Sequence, residues 1–183
     1  MRVITGSARG RVLETLPGDD VVRPTTDRVK EAMFSIIQFE IEGRRVLDLF
    51  AGSGQLGIEA LSRGASHAVF VDKTAESVNC VKRNLIKTGF QFKANVIQAD
   101  ALTFLKTTRD TFDIALLDPP YSTGILQQAV LLAAEKISDG GVIICEHPKG
   151  EEMPAEAGSF SLYREYKYGK TALSVYRKNI EEE

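Results

Sequence analysis

The sequence lacks tryptophan and has little cysteine or histidine: its 183 residues include 0 Trp, 2 Cys and 2 His. Cys80 and Cys145 lie far apart, and neither belongs to a CxxC pair or has a histidine at metal-ligand spacing. This composition argues against a zinc module and against a dithiol redox centre, because isolated cysteines of this kind usually fill the core. We therefore expect a function that needs no metal.

Long hydrophobic runs are also missing. No segment approaches the roughly 20 apolar residues that span a bilayer, and no apolar signal segment is found at the N-terminus. Low-complexity tracts and solenoid-type repeats are absent too. With 43% hydrophobic residues, the chain is sized for one α/β domain, and we expect a cytoplasmic protein without a membrane partner.

The chain has no excess of positive charge, since its formal net charge is −2 and its pI is about 5.8. These values alone do not indicate a nucleic-acid-binding protein. The distribution is uneven, however, because acidic residues collect around residues 151–156 and in the tail, whereas an N-terminal stretch is basic. Its basic residues are Arg2, Arg9, Arg11, Arg23, Arg28 and Lys30. They are either a local basic face or solvated surface charges.

Strand-like and helix-like patterns alternate through the middle of the chain. Such alternation predicts right-handed βαβ units and a mainly parallel sheet with helices on both faces. The predicted strands are residues 45–50, 67–71, 94–98, 112–117 and 141–145, and the predicted helices are residues 55–63, 74–88, 101–106 and 125–136.

The two ends of the chain follow other patterns. Residues 2–5 and 11–13 predict an N-terminal β-hairpin around residues 6–10, and residues 160–166 and 171–177 predict a terminal antiparallel hairpin. Between them, Val29, Met33, Ile36 and Ile37 recur at helical spacing and predict a helix of about three turns, which Thr25 or Thr26 could cap.

A glycine-rich turn, Gly52-Ser53-Gly54-Gln55-Leu56-Gly57, follows the first strand of the alternating region. Glycines at such a turn let the backbone approach a ligand where a Cβ atom would collide. The spacing satisfies GxGxxG, so this segment alone cannot distinguish a site for NAD from a site for S-adenosylmethionine or from a structural turn.

Three carboxylates lie at or just after the ends of three successive predicted strands. Asp48 suits the ammonium group of a methionine moiety and would repel a pyrophosphate. Asp72 is placed to accept hydrogen bonds from ribose hydroxyls, as in dinucleotide-binding proteins. Asp100 could accept from the adenine amine, although it could also simply cap a helix. The predicted cofactor residues are Asp48, Phe50, Ala51, Gly52, Gly54, Asp72, Lys73, Asp100 and Ala101.

The segment Asp118-Pro119-Pro120-Tyr121 follows the fourth strand, at the sheet edge where open α/β folds bind their ligands. The exocyclic amine of a base is a poor nucleophile because its lone pair is delocalised into the ring. The Asp118 carboxylate and the Pro119 carbonyl could accept the two amine hydrogens, while Tyr121 offers a flat face to the base. We predict that these four residues are catalytic.

Together these motifs resemble the bacterial 16S rRNA guanine-N2 methyltransferase family over nearly the whole chain. The resemblance includes residues 6–10, residues 23–34, residues 48–54, the Asp118-Pro119-Pro120-Tyr121 motif and Tyr168-Gly169-Lys170-Thr171. The glycine turn and the Asp-Pro-Pro-Tyr motif occur in many amino methyltransferases. Residues 23–34 and the chain length are similar to this family in particular.

The resemblance implies a class I, Rossmann-like methyltransferase fold with a seven-stranded sheet, S-adenosylmethionine as donor, and guanine-966 as target. It further implies rRNA as the partner, free or within a small subunit or assembly intermediate. We divide the chain into an RNA-contacting N-terminal extension, residues 1–22, and a methyltransferase domain, residues 23–183. Arg9, Arg11, Arg23 and Arg28 are predicted to hold RNA phosphates near the mouth of the pocket.

Three alternatives stay open at this point. A DNA adenine-N6 or cytosine-N4 methyltransferase would use the same four-residue motif, although it normally needs further sequence to read a groove. A catalytically silent RNA-binding assembly factor could share the scaffold. An NAD-dependent oxidoreductase is supported by the glycines alone.

Overall fold

A computed structural model describes residues 1–18, 27–121 and 123–179. In this part of the chain there are five α-helices and eight strands. The helices are α1 (Asp27–Ile36), α2 (Gln55–Ser62), α3 (Ala75–Thr88), α4 (Ala101–Thr107) and α5 (Ile125–Ala134), with a 3-10 turn at Gln91–Lys93. The strands are β1 (Arg45–Leu49), β2 (His67–Asp72), β3 (Ala94–Gln98), β4 (Phe112–Leu117), β5 (Ile137–Pro148), β6 (Glu156–Ala157), β7 (Phe160–Tyr168) and β8 (Thr171–Lys178).

All eight strands form one sheet in the order β3-β2-β1-β4-β5-β8-β7-β6. The first five pair in parallel, and β8, β7 and β6 add antiparallel pairs. The predicted α/β fold with a C-terminal antiparallel hairpin is confirmed. The predicted count of seven strands is wrong, because Glu156 and Ala157 pair with Ser161 and Phe160 across a tight turn. A strand of two residues has no alternating pattern that a sequence could reveal.

The helices cover both faces of the sheet. Alternate residues of the parallel strands point to opposite faces, so Val46 packs in one buried cluster and its neighbour Leu47 in the other. Helices α1, α2 and α3 pack in the first cluster, and α4 and α5 pack in the second. This double-sided burial explains the near-continuous apolar strands.

The N-terminal segment forms the predicted hairpin in a short version. Arg2 and Val12 share one isolated antiparallel bridge, and the backbone amides of Val3 and Leu13 donate to Arg11 O and Met1 O, both at 3.0 Å. The backbone amides of Ile4 and Thr5 donate instead to the Glu59 carboxylate of α2, at 2.9 and 3.1 Å. The ladder stays short because a side chain from elsewhere in the sequence takes its donors.

The turn at residues 6–10 docks on the C-terminal end of α2. Ser7 N donates to Ser62 O at 2.8 Å, and Ala8 N donates to Ser62 Oγ at 3.0 Å. At Gly6 a Cβ atom would lie 1.8 Å from Ser62 O, and the φ angle is +93°. Only glycine fits this contact, which accounts for one of the motifs noted in the sequence.

A fully buried ion pair joins α1 to α2. Lys30 Nζ lies 3.3 Å from Glu59 Oε2, with both side chains at 0% exposure, and Lys30 also donates to Arg2 O at 3.1 Å. Arg63 adds two hydrogen bonds to Glu59 Oε1. Burial lowers the pKa of Lys30, and the adjacent Glu59 carboxylate opposes that shift. Glu59 therefore ties the N-terminal segment, α1 and α2 together.

Three expectations fall on residues 19–26, outside the described residues. These are the Thr25 or Thr26 cap of α1, the division between residues 1–22 and 23–183, and the RNA contact of Arg23. In the described part of the chain, no helix has both the length and the apolar character needed to cross a membrane.

Candidate active site

A cavity of about 670 Å³ opens at the C-terminal ends of the parallel strands. Its walls come from the ends of β1, β2 and β4, from the segments after them and after β3, and from the N-terminal segment. Its lining includes eight of the nine predicted cofactor residues, namely Asp48, Phe50, Ala51, Gly52, Asp72, Lys73, Asp100 and Ala101, together with Asp118 and Pro120. The structure thus brings residues from four strand ends to one cavity, because parallel strands place their carboxyl ends at the same edge of the sheet.

The glycine turn forms the floor between β1 and α2. Gly52 and Gly54 have φ angles of +57° and +83°, and Gly54 is the N-cap of α2. Gly54 belongs to this turn but does not line the cavity. At Gly57 a Cβ atom would come within 2.3 Å of the Phe70 ring, so the third glycine allows α2 to pack closely on β2.

Phe50 has the unusual backbone of this site. Among the described residues, Phe50 is the one non-glycine residue with a positive φ angle, which is 64°. It also lines the cavity. A bulky residue in the left-handed region is strained, and such strain persists where the surrounding structure imposes it. The sharp exit from β1 directs the following backbone into the cavity.

Asp48 is buried at 1% exposure beneath the cavity. Its Oδ2 atom accepts from Gly57 N at 2.9 Å, whereas Oδ1 is buried and has no hydrogen-bond partner among the described residues. Burial raises the pKa of Asp48 well above its usual range, and the charges of Asp118 and Asp72 raise it further. A cationic ligand would supply the missing partner and reverse that shift.

Asp72 links the end of β2 to the glycine turn. Its Oδ2 atom accepts from Gly52 N at 2.9 Å, and its Oδ1 atom accepts from Thr74 N at 3.1 Å. A carboxylate oxygen can accept two hydrogen bonds, so these contacts leave acceptor capacity on the cavity side. Asp72 shapes the turn in addition to lining the cavity.

Asp100 caps α4, which was the second interpretation of this residue. Its Oδ2 atom accepts from Thr103 N at 3.0 Å and from Thr103 Oγ1 at 3.1 Å. The bond from the Thr103 backbone is the main reason why the pKa of Asp100 is lowered. Because Asp100 also lines the cavity with Ala101, a cap and a ligand contact are compatible at this position.

The predicted catalytic residues divide between two surfaces. Asp118 and Pro120 line the main cavity, whereas Pro119 and Tyr121 line a small adjoining recess, which Pro120 shares with Glu146 and His147. Tyr121 Oη lies 3.1 Å from Thr171 Oγ1, at the start of β8. This contact joins the catalytic segment to the Tyr168-Gly169-Lys170-Thr171 motif, so the C-terminal hairpin holds one side of the site.

His147 is a buried residue near the end of β5. Its imidazole contacts Pro148 O at 2.9 Å and Ser174 Oγ at 2.7 Å. These two contacts occupy both ring nitrogens and secure β5 to β8.

Sequence reasoning missed the part of the site that the N-terminal segment supplies. Met1 and Leu16 line the cavity, and Met1 Sδ lies 3.7 Å from Ser53 Oγ of the glycine turn. Asn84 of α3 donates to Ser53 O at 2.9 Å and accepts from Glu14 N at 2.8 Å. A buried asparagine beside the apolar stripe of α3 was the available signal, but its partners depend on tertiary docking.

The predicted RNA-binding arginines are not brought together at the cavity. Arg9 lies in the turn docked on the far end of α2, and the Arg11 guanidinium donates to Lys87 O at the far end of α3. Arg28 lies in the first turn of α1, next to the cavity residue Asp27. Arg23 lies outside the described residues. The location near the pocket mouth is therefore wrong for Arg9 and Arg11, while RNA contact by these residues stays a prediction.

The cavity suits a positively charged nucleoside. Asp48 provides an orphaned buried acceptor, the Asp48, Asp72 and Asp118 charges favour a cation, and the glycine turn leaves room for backbone contact. Among the described residues, no group of three or more His, Cys, Asp or Glu is arranged to hold a metal ion.

The fold and this cavity define a class I S-adenosylmethionine-dependent methyltransferase. Solved structures agree: "Putative methyltransferase yhhF from Escherichia coli" matches 99% of each chain at 34% identity with a TM-score of 0.84. A methylase structure from Haemophilus influenzae covers 97% of this chain and 98% of its own, at 32% identity and a TM-score of 0.82.

The chain belongs to the family described as Conserved hypothetical protein 95, whose model matches residues 1–177. "Putative rRNA methyltransferase YlbH" of Bacillus subtilis (strain 168) is 42% identical, with 97% of this chain and 99% of that protein covered. "Ribosomal RNA small subunit methyltransferase D" of Escherichia coli (strain K12) is 34% identical, with 100% and 92% covered.

Proposed function

We propose that this protein transfers a methyl group from S-adenosylmethionine to the exocyclic N2 of a guanine in small-subunit ribosomal RNA. The observation that carries the proposal is that Asp118 and Pro120 lie in the wall of the same cavity as Asp48 and Asp72. Two residues of the proposed amine-binding motif thus share one space with the proposed cofactor-binding wall. The names of the relatives support rRNA as the substrate class.

In this proposal the Asp118 carboxylate, which lines the cavity, and the Pro119 carbonyl, in the adjoining recess, present the amine. Pro119 and Pro120 have no backbone N–H, so this stretch of backbone offers carbonyl acceptors and fixed φ angles. A carboxylate and a carbonyl that bind the two amine hydrogens favour the geometry in which the nitrogen lone pair points toward the cofactor. Tyr121, held by Thr171, offers a ring on which the base can stack.

The acidic wall serves the cofactor end of the cavity. S-adenosylmethionine supplies a methyl group that its positively charged sulfur has already activated. Asp48 and Asp72 bind the charged and ribose parts of the cofactor, and the glycine turn lets the backbone approach it. Because the donor needs no further activation, holding donor and amine in line at about 3 Å accounts for most of the catalysis.

Asp118 also receives the proton. The amine becomes acidic only as the methyl group arrives, so its proton can pass to the Asp118 carboxylate or to water, and a strong general base is not needed. The target base must leave any stack to reach the cavity, and we therefore infer that the target guanine is unpaired or in a loop.

From ribosomal RNA as the substrate we infer a cytoplasmic location, and we propose free rRNA, a small subunit or an assembly intermediate as the partner. A transfer assay with methyl-labelled S-adenosylmethionine on free rRNA, small subunits and DNA tests the proposal. We expect label in rRNA or in subunits, and loss of that label in the Asp118→Ala variant.

The transfer assay, together with RNA-binding and calorimetric measurements, separates the alternatives. Label in DNA alone would indicate a DNA amino methyltransferase. RNA binding without transfer to any substrate would indicate a silent assembly factor. Calorimetric binding of NAD in place of S-adenosylmethionine would indicate the oxidoreductase.

A further inference from the structure

A basic surface lies at the far end of α3, away from the cavity. Lys82, Arg83 and Lys87 are exposed along the last turns of α3, and Lys93 is exposed in the 3-10 turn that follows. Arg11 of the N-terminal segment joins them, because its guanidinium donates to Lys87 O at 3.3 Å. We call this region, with the exposed Ile86 and Phe92, the α3 basic surface.

The α3 basic surface is positive although the protein is negative overall. Glu14 pairs with Arg83 at 2.7 Å and with Lys87 at 3.1 Å. Its single carboxylate offsets one of the five cationic side chains, so four positive charges are left over. Lys87 lies in the last turn of α3, where a cation favours the helix dipole. Neither Lys82, in the middle of the helix, nor Lys93, beyond its end, lies in the last turn of α3, so the dipole of this helix does not account for their positive charge.

Two exposed apolar side chains lie among these cations. Phe92 is 91% exposed and Ile86 is 66% exposed. Ile86 and Lys82 share a shallow groove with Gln91 and the edge strand β3. Protein interfaces are depleted in lysine at their centre, whereas an aromatic ring flanked by lysines is the arrangement that stacks a base and holds neighbouring phosphates.

Helix α3 runs from the cavity to this surface, so its length gives the distance between them. Thr74 and Ser77, at the start of the helix, line the cavity, and the helix runs for 14 residues. At 1.5 Å per residue its far end lies about 20 Å away. One RNA molecule that contacts both the cavity and the far end of α3 must span a comparable distance.

We infer that the α3 basic surface, whose far end lies about 20 Å along α3 from the cavity, binds phosphates of the substrate RNA, with Phe92 stacking an unpaired base. The substrate is then a folded RNA that reaches across one side of the protein, and a short strand that carries only the target is a poor substrate. This inference rests on the proposed function and adds a second contact region to it.

The charge arm of the test uses two doubly substituted variants. Lys82→Ala with Lys93→Ala removes two cations of the surface, and Lys106→Ala with Arg109→Ala removes two exposed cations on the other face of the sheet. We expect the first pair to weaken binding of full-length 16S rRNA about tenfold and to lower the slope of log K against log salt by roughly two, because each lost phosphate contact contributes about one. The second pair should stay within twofold of the wild type.

The aromatic arm compares Phe92→Ala with Phe39→Ala. Phe39 is 93% exposed and lies next to Glu40, which pairs with Arg177 of β8, on the same face of the sheet but several strands away from β3. We expect Phe92→Ala to weaken RNA binding without changing the salt slope, and Phe39→Ala to leave binding unchanged.

Methyl transfer is measured in parallel on full-length rRNA and on a stem-loop of about ten nucleotides around the methylated guanine. The inference predicts that the Lys82 and Lys93 substitutions raise the KM for the long RNA only, with S-adenosylmethionine binding and melting temperature unchanged. Wild-type affinity and salt slope in this variant would overturn the inference. A loss of affinity for subunits but not for naked rRNA would assign the surface to a ribosomal protein and would overturn it too. Absence of transfer by the wild-type protein would instead contradict the proposed function.

Discussion

Replacing Asp118 should slow the chemical step while leaving cofactor binding nearly unchanged. Asp118 lies in the cavity at the end of β4, where its carboxylate is an acceptor for the amine in the transition state. Asp118→Ala should lower turnover by roughly 10²-fold or more while S-adenosylmethionine binding changes only a few-fold. Single-turnover kinetics and calorimetry check the two halves of this prediction.

Asp110→Ala serves as a matched control, since Asp110 is an exposed carboxylate before β4. It should leave both quantities unchanged. Near-normal chemistry in the Asp118→Ala variant would show that the Asp118-Pro119-Pro120-Tyr121 segment is not the catalytic motif.

Asp72 should matter to binding in two ways. Asp72→Ala removes the acceptor proposed for the ribose and also frees Gly52 N, to which the carboxylate is bonded at 2.9 Å. We expect S-adenosylmethionine to bind about 1–3 kcal/mol more weakly. S-adenosylhomocysteine, which has the same ribose, should lose a similar amount in calorimetry. An unchanged dissociation constant in the folded variant would remove Asp72 from the site.

Asp48 should make cofactor binding depend on pH. Its pKa is raised in the folded protein by burial and by Asp118 and Asp72, so the empty site holds a proton above the pH at which an unfolded chain releases it. The stability that this proton confers is present at low pH and is lost as the pH rises through the folded pKa. A cationic ligand prefers the ionised carboxylate, so the affinity for S-adenosylmethionine should rise with pH over the same window.

Asp48→Asn tests this coupling. The amide keeps an acceptor for Gly57 N, which is 2.9 Å from Asp48 Oδ2, but it carries no charge. The variant should unfold at higher denaturant concentration than the wild type above the raised pKa, and it should bind S-adenosylmethionine weakly and without pH dependence. A pH-dependent affinity that persists in Asp48→Asn would assign the titration to another group.

The three strand-end carboxylates could be predicted from the sequence because parallel strands present their carboxyl ends at one edge. The role of Met1, Leu16 and Asn84 could not, because their contacts join residues that are 31 to 70 positions apart and follow no periodic pattern. The same limit applies to the predicted location of the N-terminal arginines. Their clustering along the sequence indicated a basic region, but only the docking of residues 6–10 on α2 shows which way that region faces.

At the scale of elements, the alternating part of the chain was the most predictable. Glycines at helix ends, such as Gly89 with a φ angle of +78°, and apolar strands give local signals that agree with the fold. The N-terminal hairpin was predicted from its local pattern and is present, but it is short, with one bridge. The amides of Ile4 and Thr5 are satisfied by Glu59, a residue more than 50 positions away, which no local pattern could indicate.

Glu59 is accordingly the residue on which the N-terminal segment should depend. Glu59→Ala leaves Lys30 buried without its carboxylate partner and leaves the amides of Ile4 and Thr5 without theirs. We expect it to lower the free energy of unfolding by about 3–5 kcal/mol. Denaturant unfolding monitored by circular dichroism measures this change.

Lys30→Met provides the comparison within the same network. It leaves Glu59 bonded to two backbone amides and to Arg63, so it should cost less than Glu59→Ala. Equal or reversed costs would show that the ion pair, and not the docking of the N-terminal segment, is the main stabilising contact of Glu59.

At the scale of the whole molecule, the positive charges divide into two regions with different expected effects. Arg28 lies next to the cavity residue Asp27, whereas Arg9 and Arg11 lie in or after the turn docked on the far end of α2. Replacing Arg9 and Arg11 with Ala should raise the apparent KM for long rRNA and flatten its salt dependence, with little effect on a short stem-loop. Arg28→Ala should weaken both substrates.

Steady-state kinetics at several salt concentrations test this division. If the Arg9 and Arg11 substitutions leave the KM and the salt dependence at wild-type values, these arginines are surface charges only.

The central claim concerns the chemical identity of the product. The most direct test is mass spectrometry of nucleosides from 16S rRNA that the protein has methylated with isotope-labelled S-adenosylmethionine, followed by mapping of the modified position. We predict a labelled N2-methylguanosine at a single unpaired guanine, absent when Asp118→Ala replaces the wild type. Labelled N6-methyladenosine or N4-methylcytidine, or no labelled nucleoside from an active, cofactor-binding protein, would contradict it.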